Sequence, residues 1–260
     1  MPRILACLAL FLAALALPAG AEEICQGYGP QAPRDIASRI GLNRQVWTPA
    51  PPASDMRLCN IHVHAQAEHK GPGYSVPAGE GPDGGWACND TWRLSPSDLA
   101  PTSRRNFEGV SPGNTIEVHW VFTSCPVAPG PGLGSCLSET CTNPELRVEA
   151  QVFLLVNDPD ALDFSDFSYR GHTADGRPQP RALPTGTGDP VTFAGSTTGS
   201  SYSQSACSPL QVTWSVRPDC ARLDIGSLHD WAESGNVFDE HHAHGVRHIV
   251  TAPELLSPIP

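Results

Sequence analysis

Alternation of apolar and polar residues is the clearest signal along this chain. The stretch NTIEVHWVFT at 114–123 places Ile116, Val118, Trp120 and Phe122 on one face and Glu117, His119 and Val121 on the other, the period of a β-strand. Runs rich in β-branched and aromatic residues at 59–64, 146–156 and 211–216 read the same way, each bounded by Gly, Pro, Asn or Asp. Helical periodicity is weak, with short candidates at 95–100 and 225–233. Segments 70–85, 126–143 and 169–190 read as long irregular loops. The 27 prolines and 24 glycines, scattered between the runs, fit a sheet with long connections and not a helical bundle. With no internal repeat or low-complexity linker, the pattern predicts one mainly β domain with a few short helices.

Composition adds the compartment. Residues 1–21 combine Arg3, an apolar run over 4–17, Pro18 and the small-residue sequence Ala19-Gly20-Ala21, which reads as a secretory signal cleaved after Ala21, leaving a domain over 22–260. As a helix that run would span about 21 Å, short of the ~30 Å bilayer core, so a membrane anchor is disfavoured. The expectation is a chain exported to the periplasm or extracellular space, with no membrane association after cleavage. Removing the signal also removes Cys7 and leaves an even set of cysteines, which in an oxidising compartment predicts four disulfides; no C-x-x-C pair supports a zinc ribbon or a redox motif. Sequence alone leaves about 105 pairings open. A formal net charge of -11 argues against nucleic acid and against anionic lipid, and leaves small molecules as partners.

Candidate chemistry lies in two strands. In IHVHAQAEH at 61–69, His62 and His64 are two apart and therefore face the same side, about 6.6 Å apart along the strand. His119 is a polar residue in an apolar strand, with Glu117 beside it on the same face. If the two strands pair, three histidines converge, the ligand count of a catalytic zinc site that keeps its fourth position for water. Glu117 would orient an imidazole from behind and raise its basicity. A buried histidine held by glutamate for purely structural reasons is the competing account.

H62-x-H64 followed by E117-x-H119-W120 resembles the carbonic anhydrases of the alpha type, whose zinc ligands occur as H-x-H on one strand and a third histidine in an E-x-H context on a neighbour. Other segments align in the same order: GYGPQAPRDI at 27–36, AEH at 67–69, GSTTG at 195–199 and CSPLQVTW at 207–214. The close-following A-E-H, the extra cysteines and the ending E-x-H-A-H-G-V-R at 240–247 look more like the delta class, to which the chain is assigned. The resemblance implies a largely antiparallel twisted central sheet, as in the alpha type, with long disulfide-stapled loops. It also implies one disulfide, Cys25 with Cys207.

The implied reaction is reversible hydration of carbon dioxide to bicarbonate and a proton. The resemblance assigns zinc to His62, His64 and His119, with cobalt or cadmium as substitutes, and a bound water of pKa about 7. Carried over residue by residue, Thr197 would aim the nucleophile and donate to Glu68, Thr198 would contact bicarbonate, and Val121, Val152 and Trp214 would wall the carbon dioxide site. His69 is a candidate proton shuttle, as are His241, His242, His244 and His248. Two rival functions are an exported histidine-rich zinc-binding or delivery protein without catalysis, and a zinc hydrolase of esters. The absence of H-E-x-x-H removes the commonest protease signature.

Overall fold

The alternating runs form the middle of a six-stranded sheet in a computed structural model that describes residues 23–79 and 84–260. The expected signal at 1–21 lies outside the described residues. Along the chain the strands are β1 (Arg57–Ala65), β2 (Tyr74–Ala78), β3 (Gly85–Cys88), β4 (Thr115–Thr123), β5 (Leu146–Val156), β6 (Thr173–Ala174), β7 (Arg177–Pro178), β8 (Val191–Ser196), β9 (Gln211–Val216) and β10 (Ala221–Asp224), followed by the helix α1 (Ile225–Glu233). The sheet order is β1-β4-β5-β9-β8, with β10 also on β5. β1, β4 and β5 run antiparallel, as do β8 and β9, whereas β5 meets β9 and then β10 in parallel. The fold is thus mainly β, as the alternating pattern predicts, and its central sheet is mostly antiparallel, as the resemblance implies, with parallel pairs at β5–β9 and β5–β10.

The sheet separates two apolar layers. Ile61, Val63, Ile116, Val118, Trp120 and Phe122 face α1, whose Ile225, Leu228 and Trp231 recur at helical spacing and fill that side. Asp224 caps α1 by accepting from the Gly226 and Ser227 amides. Val121, Val148, Ala150, Val152 and Trp214 lie in the other layer, together with Phe193 of β8. Gly195 is required there, because a Cβ at that position would sit 2.8 Å from the Trp214 ring and 2.9 Å from the Ala32 side chain.

The segment expected as a helix at 95–100 is a single turn instead. Asp98 accepts from both the Ser95 amide and hydroxyl, and this local closure replaces helical continuation. The loops are also less irregular than expected: 70–85 holds β2, which pairs with β3 at its end, and 169–190 holds the small β6–β7 pair. Disulfides tie Cys25 to Cys207, Cys59 to Cys136, Cys88 to Cys220 and Cys125 to Cys141. The first is the pairing implied by the resemblance. Next to Cys207 in the chain, the Ser208 amide donates to Gln31 Oε1, which also accepts from Ser196 Oγ, so the 27–36, 195–199 and 207–214 motifs meet in space.

Candidate metal centre

Strand register brings the three histidines together. β1 and β4 pair so that His62 lies directly opposite His119 and His64 opposite Glu117, all on one face of the sheet. Ala150 of β5 is the next neighbour of His119, and its small side chain leaves room that the Trp214 ring fills edge-on, 5.0 Å from the imidazole. Two members are buried, His64 at 4 % and His119 at 1 % exposure, and His62 is partly exposed.

Each imidazole is held from behind. His62 Nδ1 lies 2.8 Å from Asn60 Oδ1, and the Asn60 amide nitrogen is already committed to the Gly130 carbonyl, so His62 Nδ1 is the donor. His64 Nδ1 donates to the Gly245 carbonyl at 3.2 Å. His119 Nε2 donates to Glu117 Oε1 at 3.0 Å. These acceptors fix the tautomers and leave His62 Nε2, His64 Nε2 and His119 Nδ1 as lone-pair donors.

Those three atoms face one another. His62 Nε2 is 3.1 Å from His64 Nε2 and 3.2 Å from His119 Nδ1, close to the roughly 3.3 Å between nitrogens that share a tetrahedral zinc. Lone pairs packed this closely repel unless a cation lies between them. A proton is a poor substitute, because burial and the neighbouring imidazoles hold His62 well below the usual histidine pKa, and burial likewise lowers His64. The residues therefore fit a nitrogen-ligated divalent metal.

Glu117 is the hub behind the cluster. It is completely buried, and its two oxygens accept from the Glu68 amide at 2.7 Å, the His69 amide at 3.1 Å, His69 Nδ1 at 2.8 Å and His119 Nε2 at 3.0 Å. Burial alone opposes its ionisation. His69 and His119, through charge and hydrogen bonds, overcome that penalty and hold the carboxyl well below the usual range. The chain reaches this geometry because Gln66, just after β1, adopts the left-handed region (φ 67°) and breaks the strand alternation.

The remaining candidates divide. Glu68 is buried against the cluster: Oε1 lies 3.5 Å from His64 Nδ1 and accepts the Arg247 amide at 3.1 Å, while Oε2 has no hydrogen-bond partner among the described residues. Thr197 is buried, but its hydroxyl bonds to Ser208 Oγ and not to Glu68. Thr198 is half-buried. His69 is fully buried, with its ring 4.7 Å from Trp214 and its Nδ1 on Glu117 Oε1. Val121, Val152 and Trp214 share the apolar layer on the cluster's side of the sheet.

Sequence reading passed over Asn60, although the period-2 rule that links His62 to His64 also puts Asn60 on their face. It also passed over how Gly245 and Arg247, within the E-x-H-A-H-G-V-R segment, reach the cluster from about 180 residues away through backbone groups. Just before Gly245, His244 lies with its ring centroid 6.2 Å from His62 and donates Nε2–H to Glu240 at 3.1 Å, a bond that raises its pKa.

No helix among the described residues is long and apolar enough to cross a membrane, and the four disulfides suit an oxidising compartment. A search of curated proteins found no match. The family model for delta carbonic anhydrase matches residues 53–227, a span that contains all three histidines, Glu68, Glu117 and both threonines. With that match over more than half of its length, the chain belongs to the delta carbonic anhydrase family.

Proposed function

We propose that this protein catalyses the reversible hydration of carbon dioxide to bicarbonate and a proton, using zinc held by His62, His64 and His119. The observation that carries the reading is the convergence of three lone-pair nitrogens, each fixed from behind by Asn60, Gly245 or Glu117. Zinc in such a site supplies a Lewis acid able to ionise water near pH 7. Three neutral imidazoles suit that task, because they leave the cation's charge undiminished, whereas carboxylate or thiolate ligands would reduce it. The same nitrogens would accept cobalt or cadmium.

The other residues orient and exclude. Glu117 keeps His119 in one tautomer and one ring position. Glu68 Oε2, buried and without a partner among the described residues, is the natural acceptor for a hydroxyl that aims the nucleophile; Thr197, after turning from Ser208, would provide it, with Thr198 beside it to contact bicarbonate. Val121, Val152 and Trp214 give carbon dioxide an apolar surface. His69 supports the site through its bond to Glu117. The leader-like residues 1–21 and the disulfides support export to the periplasm or extracellular space.

A stopped-flow assay with a pH indicator tests the reaction. Zinc-loaded protein should hydrate carbon dioxide, and Thr197→Ala should keep its zinc while hydrating about 10²-fold more slowly, the lower end of what a positioned proton-transfer group contributes. Zinc-loaded wild type without hydration would remove the carbonic anhydrase reading. Full-rate Thr197→Ala would remove Thr197 as the aiming hydroxyl.

A further inference from the structure

The C-terminal segment that lies against β1 repeats, at the surface, the design of the buried cluster. Its backbone is fixed by the His244 amide on the Val63 carbonyl, the Ala65 amide on the His244 carbonyl and the Glu108 amide on the His241 carbonyl, each at 2.7 Å. His242 and His244 are two apart in extended chain and their ring centroids are 4.5 Å apart, comparable to the 4.9 Å of His62 and His64. His244 donates Nε2–H to Glu240, whose other oxygen is held by the Val63 amide at 2.7 Å. The pair leaves His244 Nδ1 with a lone pair, the carboxylate–imidazole arrangement that Glu117 imposes on His119. Nothing in a purely structural tail requires that arrangement to be repeated beside the first.

Position gives the repeat a purpose. His242 is exposed, the His244 side chain is 41 % exposed, His62 is partly exposed, and His64 and His119 are buried. Successive ring centroids lie 4.5 Å apart from His242 to His244, then 6.2 Å to His62 and 6.3 Å to His64. Glu108, Asp239 and Glu240 are placed along the same segment and favour a cation over an anion at its surface.

We propose that His242 and His244 form an outer capture site for a divalent transition cation, which passes from there to His62, His64 and His119. The proposal rests on reading the inner cluster as a metal centre.

The test uses the full chain stripped of metal and titrated with cobalt(II) alone, with stoichiometry from equilibrium dialysis and loading rate from stopped-flow absorbance. Wild type should bind one tight and one weaker equivalent. His242→Ala and His244→Gln, the second of which preserves a donor for Glu240, should each lose the weaker equivalent and keep the tight one. Both should load about tenfold or more slowly, the low end of what a cation-focusing site adds to an on-rate. Unchanged melting temperatures establish that the variants fold. His119→Ala should lose the tight equivalent and keep the weaker one. A single equivalent in wild type, or unchanged stoichiometry and loading in His244→Gln, would overturn the capture site. Two equivalents surviving in His119→Ala would instead overturn the inner cluster, and the capture site would then stand or fall on whether His244→Gln loses its weak equivalent.

Discussion

β4 has two faces, and all nine of its residues are buried. On one face Ile116, Val118, Trp120 and Phe122 pack against β1 and α1 and need nothing but shape, apart from the Trp120 indole, which donates to the Phe167 carbonyl at 2.8 Å. On the other face Glu117 and His119 are equally buried, and there every polar atom must find a partner or a cation. Equal burial therefore does different work on the two sides: the apolar face supplies stability through packing, and the polar face converts burial into fixed tautomers and exposed lone pairs. The strand carries the one into position for the other.

Substitutions on each face should separate those roles. The largest effect on stability is expected from Trp120→Ala, which empties a large site in the α1 layer and should cost about 3–5 kcal/mol in denaturant unfolding. Metal affinity of the folded Trp120→Ala protein should stay at the wild-type level; a parallel loss of affinity would mean that the two faces are not independent. Glu117→Gln keeps shape but cannot accept from all four donors that now meet the carboxylate. Its metal affinity should fall about 10- to 100-fold, measured by chelator competition, with some loss of stability from the donors left unpaired. Asn60→Ala removes the acceptor behind His62 alone, so a loss of about tenfold, smaller than that of Glu117→Gln, is expected in the same competition.

The smallest effect concerns pH. In the metal-free protein the pKa of His62 is held well below its ordinary 6.5, and that of His64 is lowered too, so below pH 6.5 the unfolded chain binds protons that the folded chain refuses. Stability of the metal-free protein should accordingly decline as pH falls from 6.5, and bound metal should oppose that decline. A flat stability profile between pH 7 and 5 would show that the cluster does not resist protonation, contrary to its burial.

How far these features could be read in advance follows the same division. Periodicity placed β4, β5 and β9 well, because each is a run of apolar, β-branched residues bounded by polar or turn residues, and it placed α1 despite a weak helical pattern. That His62, His64 and His119 converge, with Glu117 on the same face, was legible because strand geometry turns spacing into direction. β8 and β10 escaped notice, since VTFAGS and ARLD are short and carry small or charged residues that weaken the pattern. The loop that bears Thr197 and Thr198 is harder for another reason. Its hydroxyl directions depend on contacts with Ser208 and on the turn around Gly199, neither of which a spacing rule encodes. Gly245 and Arg247 meet the cluster through backbone atoms, so the E-x-H-A-H-G-V-R segment that contains them does not reveal those contacts.

The central claim is that His62, His64 and His119 act as one metal-binding unit, and the most direct measurement is zinc content and carbon dioxide hydration of the His119→Ala protein after dialysis against a chelator that leaves wild type loaded. The account predicts no tightly held zinc and no hydration above the buffer rate. Retained zinc with wild-type hydration would contradict it.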